Sequence, residues 1–193
     1  MVATIALPDE SLTWRLSRDL DAEFADVVSS FEAAVYTTAL RMSGRADDAE
    51  DLAAETFLRA YAALRQYDPA RIVELQLRPW LITICLNAWR NQVRTAARRP
   101  ARDTRTFVPE PAATGESPEE AAERNDEADQ LAGWLQRLAD KQRTAIVLRH
   151  VVGLPYAEVA LVLRCPEGTA KSHVSRGLTQ LRALMSHDPE VLR

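Results

Sequence analysis

Between residues 106 and 129 the chain reads TFVPEPAATGESPEEAAERNDEAD. Eight carboxylates stand there against one arginine, three prolines and a glycine interrupt it, and the apolar content is little more than alanine beside Phe107 and Val108. Such a stretch cannot bury enough surface to offset the entropy of ordering itself, so it reads as a linker. Whatever folds in this chain of 193 residues folds on either side of it, as two small units.

The fold class follows from glycine. Only 6 are present, too few for the turns an all-β fold needs every ten residues or so, and the expectation is all-α. Helical spacing agrees. Phe24, Val27, Val28, Phe31, Val35 and Leu40 suit one long helix that Gly44 ends. Asp47, with Glu50 three residues on, suits the cap of a second helix whose inner face is Leu52, Ala53, Phe57, Ala60, Tyr61 and Leu64. Tyr67-Asp68-Pro69 stops it. A third helix starts near Pro79, is apolar at Leu81, Ile84, Cys85, Ala88 and Val93, and ends at Pro100. Beyond the linker, Leu131, Trp134, Leu135 and Leu138 mark one helix. Thr144, Ile146, Val147 and Val151 mark another, which Gly153 ends. A short helix from Pro155 buries Val159, Ala160 and Leu163; after the turn Arg164-Cys165-Pro166, a last helix runs to about Met185, with Pro166 at its first position and Ala170, Val174, Leu178 and Leu181 inward. That is a helix-turn-helix pattern.

Charge is segregated along the sequence. Residues 21–59 carry nine carboxylates against three arginines, a net −6, whereas residues 90–105 carry six arginines against Asp103, a net +5 that attracts phosphate. Residues 107–129 then reach −7. The last helix leaves Lys171, Ser172, Ser175, Arg176 and Gln180 outward, types that touch base edges and phosphates, although by itself a basic amphipathic helix is equally a solvated face. No apolar run exceeds Ala60–Leu64 or Val159–Leu163, far short of a membrane span, and MVATIALPDE lacks the basic start of a signal peptide, so no membrane insertion and a cytoplasmic location are expected. Cys85 and Cys165 form no pair motif, and with His150, His173 and His187 they give no metal-ligand spacing. Neither a metal nor a cofactor is expected. A carboxylate site from Asp48, Asp51 and Glu55 is the rival for the acidic helix, but helical spacing alone is weak support for it.

Three stretches, DAEDLAAETFLRAY (48–61), RPWLITICLNAWRNQVR (78–94) and LRHVVGLPYAEVALVLRCPEGTAKSHVSRGLTQLRALM (148–185), come in the order and spacing of a known family. The chain resembles an extracytoplasmic-function (ECF) sigma factor of bacterial RNA polymerase. The resemblance implies an N-terminal extension over 1–20, a sigma-two helical bundle over 21–100, a linker over 101–127 and a sigma-four helix-turn-helix over 128–187. It further implies a non-catalytic factor that binds core polymerase and directs initiation at promoters through their minus-ten and minus-thirty-five elements.

Site residues are implied by the same resemblance. Glu50, Asp51, Leu52, Glu55, Phe57 and Leu58 fall on the helix that docks on a coiled coil of the largest polymerase subunit, with carboxylates to steer and apolar groups to anchor. Asn87, Trp89, Arg90, Asn91, Arg94 and Arg98 fall on the part that holds the melted minus-ten strand, a task needing cations, flat rings and amides. Trp80 is read as core. Thr169, Lys171, Ser172, His173, Ser175 and Arg176 fall on the recognition helix for the minus-thirty-five element, and sigma-four also meets the polymerase flap on the upstream side. An anti-sigma factor is an implied partner. For the acidic linker, mimicry of nucleic acid and a plain solvated tether explain the composition equally well. A stand-alone helix-turn-helix regulator is the other reading; it leaves the acidic helix and the arginine block unexplained.

Overall fold

The computed structural model describes residues 8–96 and 130–186, and among them every regular element is helical. The expected linker and Pro100 lie outside the described residues, as do residues 1–7 of the N-terminal stretch.

Helix α1 spans Pro8–Arg18 and α2 spans Leu20–Ser43. Asp19 joins them: its carboxylate accepts from the Ala22 amide at 3.0 Å, capping α2, whose first turn holds Asp21 and Glu23 at the positive end of the helix dipole. Residues 8–18 of the expected N-terminal extension are therefore a packed helix. Its Leu12 and Leu16 are buried, and Arg15 pairs with Glu23 and, at 2.8 Å, with Asp26. Gly44 ends α2 in the left-handed conformation at φ 75°, its amide returning to Leu40 O at 2.8 Å.

Helix α3 covers Ala46–Leu64 and starts earlier than expected. Arg45 occupies its cap position without a side-chain bond, so Asp47 sits inside the first turn, where it acts on the dipole instead of capping. Asp68 caps a short helix α4, Pro69–Val73, accepting from the Arg71 amide at 2.8 Å. Helix α5 runs Leu77–Ala96. Helices α2, α3 and α5 pack on one another, while α1 lies across α2 and α4. Their core is aliphatic, with Val27, Val35, Leu52, Leu64, Leu81, Ile82 and Leu86 essentially without solvent contact. Val93, expected inward, is 49% exposed, because by this last turn α5 has run past the helices that cover its apolar stripe.

In the second unit residues 130–136 are helical (α6), and α7 spans Asp140–Ile146. Helix α7 continues as a wider π turn at Val147–Val151, closed by Val152 N to Val147 O at 2.9 Å. The widened turn rotates Val151 outward, against expectation, and buries Val152 in its place. Gly153 then reverses the chain at φ 78°. Helices α8 (Tyr156–Leu163) and α9 (Glu167–Ser186) form the helix-turn-helix, with Arg164 left-handed at φ 51° in the turn. Val159 and Val162 are the buried residues of α8, while Ala160 and Leu163 are half-covered. Pro166 caps α9 from outside: its carbonyl accepts from Thr169 at 2.9 Å and Ala170 at 3.1 Å. Gly177 lets α9 lie close on α7, since a Cβ there would stand 2.7 Å from Ile146 Cδ1 and 3.2 Å from Gln142 Cβ.

The two units touch. One contiguous cluster of buried side chains runs through both, taking in Leu81, Leu86 and Trp89 of α5 and Leu135, Leu138 and Leu148 of the second unit. Arg78 donates to the Val152 carbonyl at 2.5 Å, and Gln136 donates from Nε2 to the Met42 carbonyl at 3.1 Å.

Candidate nucleic-acid interface

On α3 the acidic face and the core face part company. Glu50 and Asp51 are exposed and Leu58 is 71% exposed, whereas Leu52 is fully enclosed and Phe57 is 9% exposed. Leu52 therefore belongs to the core and offers a partner nothing. Phe57, one step of about 100° from Leu58, shows only its edge to a cleft of about 460 Å³ between α2 and α3 that Val28, Tyr36, Glu50 and Ala53 also line. Glu55 is half-buried, held by Arg59 at 2.6 Å and accepting from Gln92 Nε2 at 3.2 Å. Of these six residues, Glu50, Asp51 and Leu58 are the ones left exposed.

On α5, Asn87, Asn91 and Arg94 are exposed along one side of the helix. Trp89 and Arg90 are not. Trp89 is 8% exposed, with the Arg143 guanidinium 4.9 Å from its ring centroid, and Arg90 is half-buried with its Nε 3.5 Å from Asp140 Oδ2. Both partners come from α7 of the second unit. Arg98 lies outside the described residues. Trp80 packs against the core with its ring 6.2 Å from that of Tyr67.

On α9 the outward face is open. Thr169, Lys171, Ser172, Ser175 and Arg176 are exposed and His173 is half-covered, while Ala170, Val174, Gly177 and Leu181 are buried. The Ser172 hydroxyl donates back to the Gly168 carbonyl at 2.9 Å. Lys171 pairs with Glu167 one turn earlier at 2.7 Å, and that bond raises its pKa above the usual lysine value. The Lys171 ammonium also stands 5.5 Å from the Tyr156 ring centroid, whose ring carries the Arg149 guanidinium at 5.0 Å. Tyr156 and Arg149 thus extend the basic patch beyond α9. Neither stands out in the sequence, because Arg149 lies in the π turn after α7, Tyr156 opens α8 and Lys171 is on α9, and only the packing of the three brings them together.

Among the described residues no three His, Cys, Asp or Glu side chains gather as a metal site, and no helix is long and apolar enough to cross a membrane. The two free cysteines are far from these faces in character: burial pushes the Cys85 thiol up to about 12, and Cys165 sits half-covered in the turn before α9.

These two units coincide with two known families. Residues 27–99 match Sigma-70 region 2 and residues 129–181 match Sigma-70, region 4. The ECF RNA polymerase sigma factor SigW of Bacillus subtilis is 30% identical over 171 residues, covering 85% of this chain and 89% of SigW. The RNA polymerase sigma-H factor of Pseudomonas aeruginosa is 30% identical over 175 residues, 87% of this chain and 89% of its own length. Among solved structures, the sigma factor RpoE of Bartonella quintana, in complex with the anti-sigma factor NepR, superposes with a TM-score of 0.65 at 26% identity over 89% of this chain and 99% of that one. With both regions present, in order, and with relatives matched over nearly their whole length, the chain belongs to the ECF sigma factors of bacterial RNA polymerase.

Proposed function

We propose that the work of promoter-specific initiation is divided among three surfaces of this sigma factor. Glu50, Asp51 and Leu58 on α3 dock on the coiled coil of the largest polymerase subunit, carboxylates raising the encounter rate and Leu58 giving the desolvated anchor. Asn87, Asn91 and Arg94 on α5, joined by Trp89 and Arg90, hold the unstacked minus-ten strand. Thr169, Lys171, Ser172, Ser175 and Arg176 on α9, with His173 at their edge, enter the major groove of the minus-thirty-five element. The two units then answer to residues 21–100 and 128–187, and sigma-four meets the flap. The factor makes and breaks no bond; its output is binding free energy spent on placing polymerase at a promoter. It works in the cytoplasm, and an anti-sigma protein restrains it, as the complex of the Bartonella quintana relative with NepR suggests by analogy.

The observation that carries this reading is on α3, where an acidic surface and a 71% exposed leucine stay uncovered while Leu52, Phe57 and Leu64 of the same helix are enclosed. An apolar group kept in water beside carboxylates is the pattern of a surface awaiting a basic, partly apolar partner. The test is capture of core polymerase by the intact chain and by the triple variant Glu50→Lys, Asp51→Lys, Leu58→Ala. Loss of capture with the fold retained supports the assignment. Undiminished capture places docking elsewhere, and a folded wild-type chain that binds no core polymerase overturns the reading.

A further inference from the structure

We propose that residues 1–7, MVATIAL, seat in the cavity where the α1–α2 hairpin meets the π turn and α8, so that the start of the chain is an apolar plug in contact with both units. The proposal is independent of the surfaces assigned above to polymerase and DNA.

The cavity holds about 630 Å³, a size that small ligands fill and that has room for several side chains. Its walls are apolar on both sides: Leu12, Phe31 and Ala34 come from the first unit, Val151 and Val152 from the second. Val151 is 37% exposed, because the widened π turn rotates it out of its own unit and into this wall. An apolar group left so forgoes burial free energy that a cover would recover. Arg78 also lines the cavity, but its guanidinium is engaged, donating to the Val152 carbonyl at 2.5 Å. An anionic occupant would compete with that bond; an uncharged apolar one leaves it in place.

The path of α1 brings such an occupant to the cavity. Arg15 pairs with Glu23 and Asp26, and three residues nearer the N-terminus Leu12 shares the cavity wall with Ser30 and Phe31. Helix α1 therefore runs back along α2, and its line continued meets Ala34 and Thr37, which also line the cavity. Pro8, the first residue of α1, stands about 6 Å beyond Leu12 along the axis. The seven residues before it span about 25 Å when extended, more than the roughly 10 Å of α2 between Ser30 and Thr37. Their chemistry fits: Thr4 is the one polar side chain among them, and none is charged. A segment attached this close to its site acts at an effective concentration of about millimolar, so a few apolar contacts fill the cavity, and a separate protein would first have to displace it.

The experiment places the photo-crosslinking residue p-benzoylphenylalanine at Ile5 of the full chain and maps the cross-linked peptides by mass spectrometry, in the wild-type background and in Val151→Asp. Expected are cross-links within one chain to residues 30–37 and 151–158, the latter falling about tenfold in Val151→Asp, where a charge replaces the apolar wall. Cross-links to other surfaces, cross-links only between two chains, or a yield that Val151→Asp leaves unchanged overturn the proposal. Because the probe is itself apolar, hydrogen exchange of the unlabelled chain is compared with that of Ile5→Asp. The Val152 amide, bonded to Val147 O at 2.9 Å, and the amides of residues 30–37 are expected to exchange about tenfold faster in the variant relative to those of α3, from which no described residue lines the cavity. Equal exchange in the two chains overturns the proposal.

Discussion

Helices α5 and α9 are close to equal in length and both carry a basic face assigned to DNA, yet the protein treats them in opposite ways. On α9 the apolar stripe Ala170, Val174, Gly177 and Leu181 is enclosed and the polar side stands in water. On α5 part of the polar side is itself an interface, with Trp89 enclosed and Arg90 paired across to Asp140. The lesson is that an outward residue on a helical wheel is outward only with respect to its own unit. Duplex DNA keeps its phosphates on display at all times, and a helix that reads it has nothing to lose by standing open. A melted strand exists only within the polymerase complex, and a helix that grips it can be covered until then.

The largest expected effect that sharpens this comparison concerns the two thiols, one on α5 and one beside α9. Cys85 is fully enclosed with its pKa pushed up to about 12, while Cys165 is half-covered and stands in the turn. Since the thiolate is the nucleophile and burial both disfavours it and hides it at Cys85, a neutral alkylating reagent at pH 8 modifies Cys165 much faster than Cys85. Mass spectrometry of the partly alkylated chain reads the ratio; comparable rates would show that α5 is not held in its core.

Next is the contrast between Arg176 and Arg90. In the free factor Arg176→Ala weakens binding to a minus-thirty-five duplex about tenfold to a hundredfold if it makes a bidentate contact to guanine. Arg90→Ala leaves that duplex binding unchanged and lowers open-complex formation only in holoenzyme. Fluorescence anisotropy with duplex, followed by a melting assay with core polymerase, separates the two; equal losses in the free state would erase the distinction between the helices.

The smallest effect is on stability. Gly177→Val puts a branched side chain where even a Cβ meets Ile146 at 2.7 Å, and overpacking of this kind costs about 1–3 kcal/mol. The better helix propensity of valine over glycine offsets part of it. Urea unfolding followed by circular dichroism measures the net loss, and an unchanged midpoint would mean that α9 is not seated on α7 as described.

Much of this was legible in the sequence, and what was not has a common cause. Helix stripes such as Leu81, Cys85 and Ala88, or Ala170, Val174 and Leu181, are local patterns and appear as expected. Arg164-Cys165-Pro166 forms the expected turn. By spacing, Leu52 and Phe57 suit the inner face of α3, and burial holds them there while Leu58 stays outside. Helix α1 escaped notice because its apolar signal is only Leu12 and Leu16, four apart, and their value lies in the groove of α2 and α4 that receives them. Trp89, Arg90, Arg143 and Asp140 are about fifty residues apart in sequence and meet by tertiary packing alone. No periodicity within a single helix carries that information.

The close seat at Gly177 also has a mechanical meaning. Gly177 sits at the middle of the 20 residues of α9, a helix about 30 Å long, and there the approach to α7 leaves no room for a Cβ. It therefore acts as a fulcrum. Lys171 lies six residues away, about 9 Å along the axis, so a tilt of about ten degrees at the fulcrum swings the reading end by less than the width of a base pair. A seat made of the Gly177 backbone against the Ile146 and Gln142 side chains gives a short, stiff lever, and the absence of one methyl group sets the angle at which α9 lies on α7.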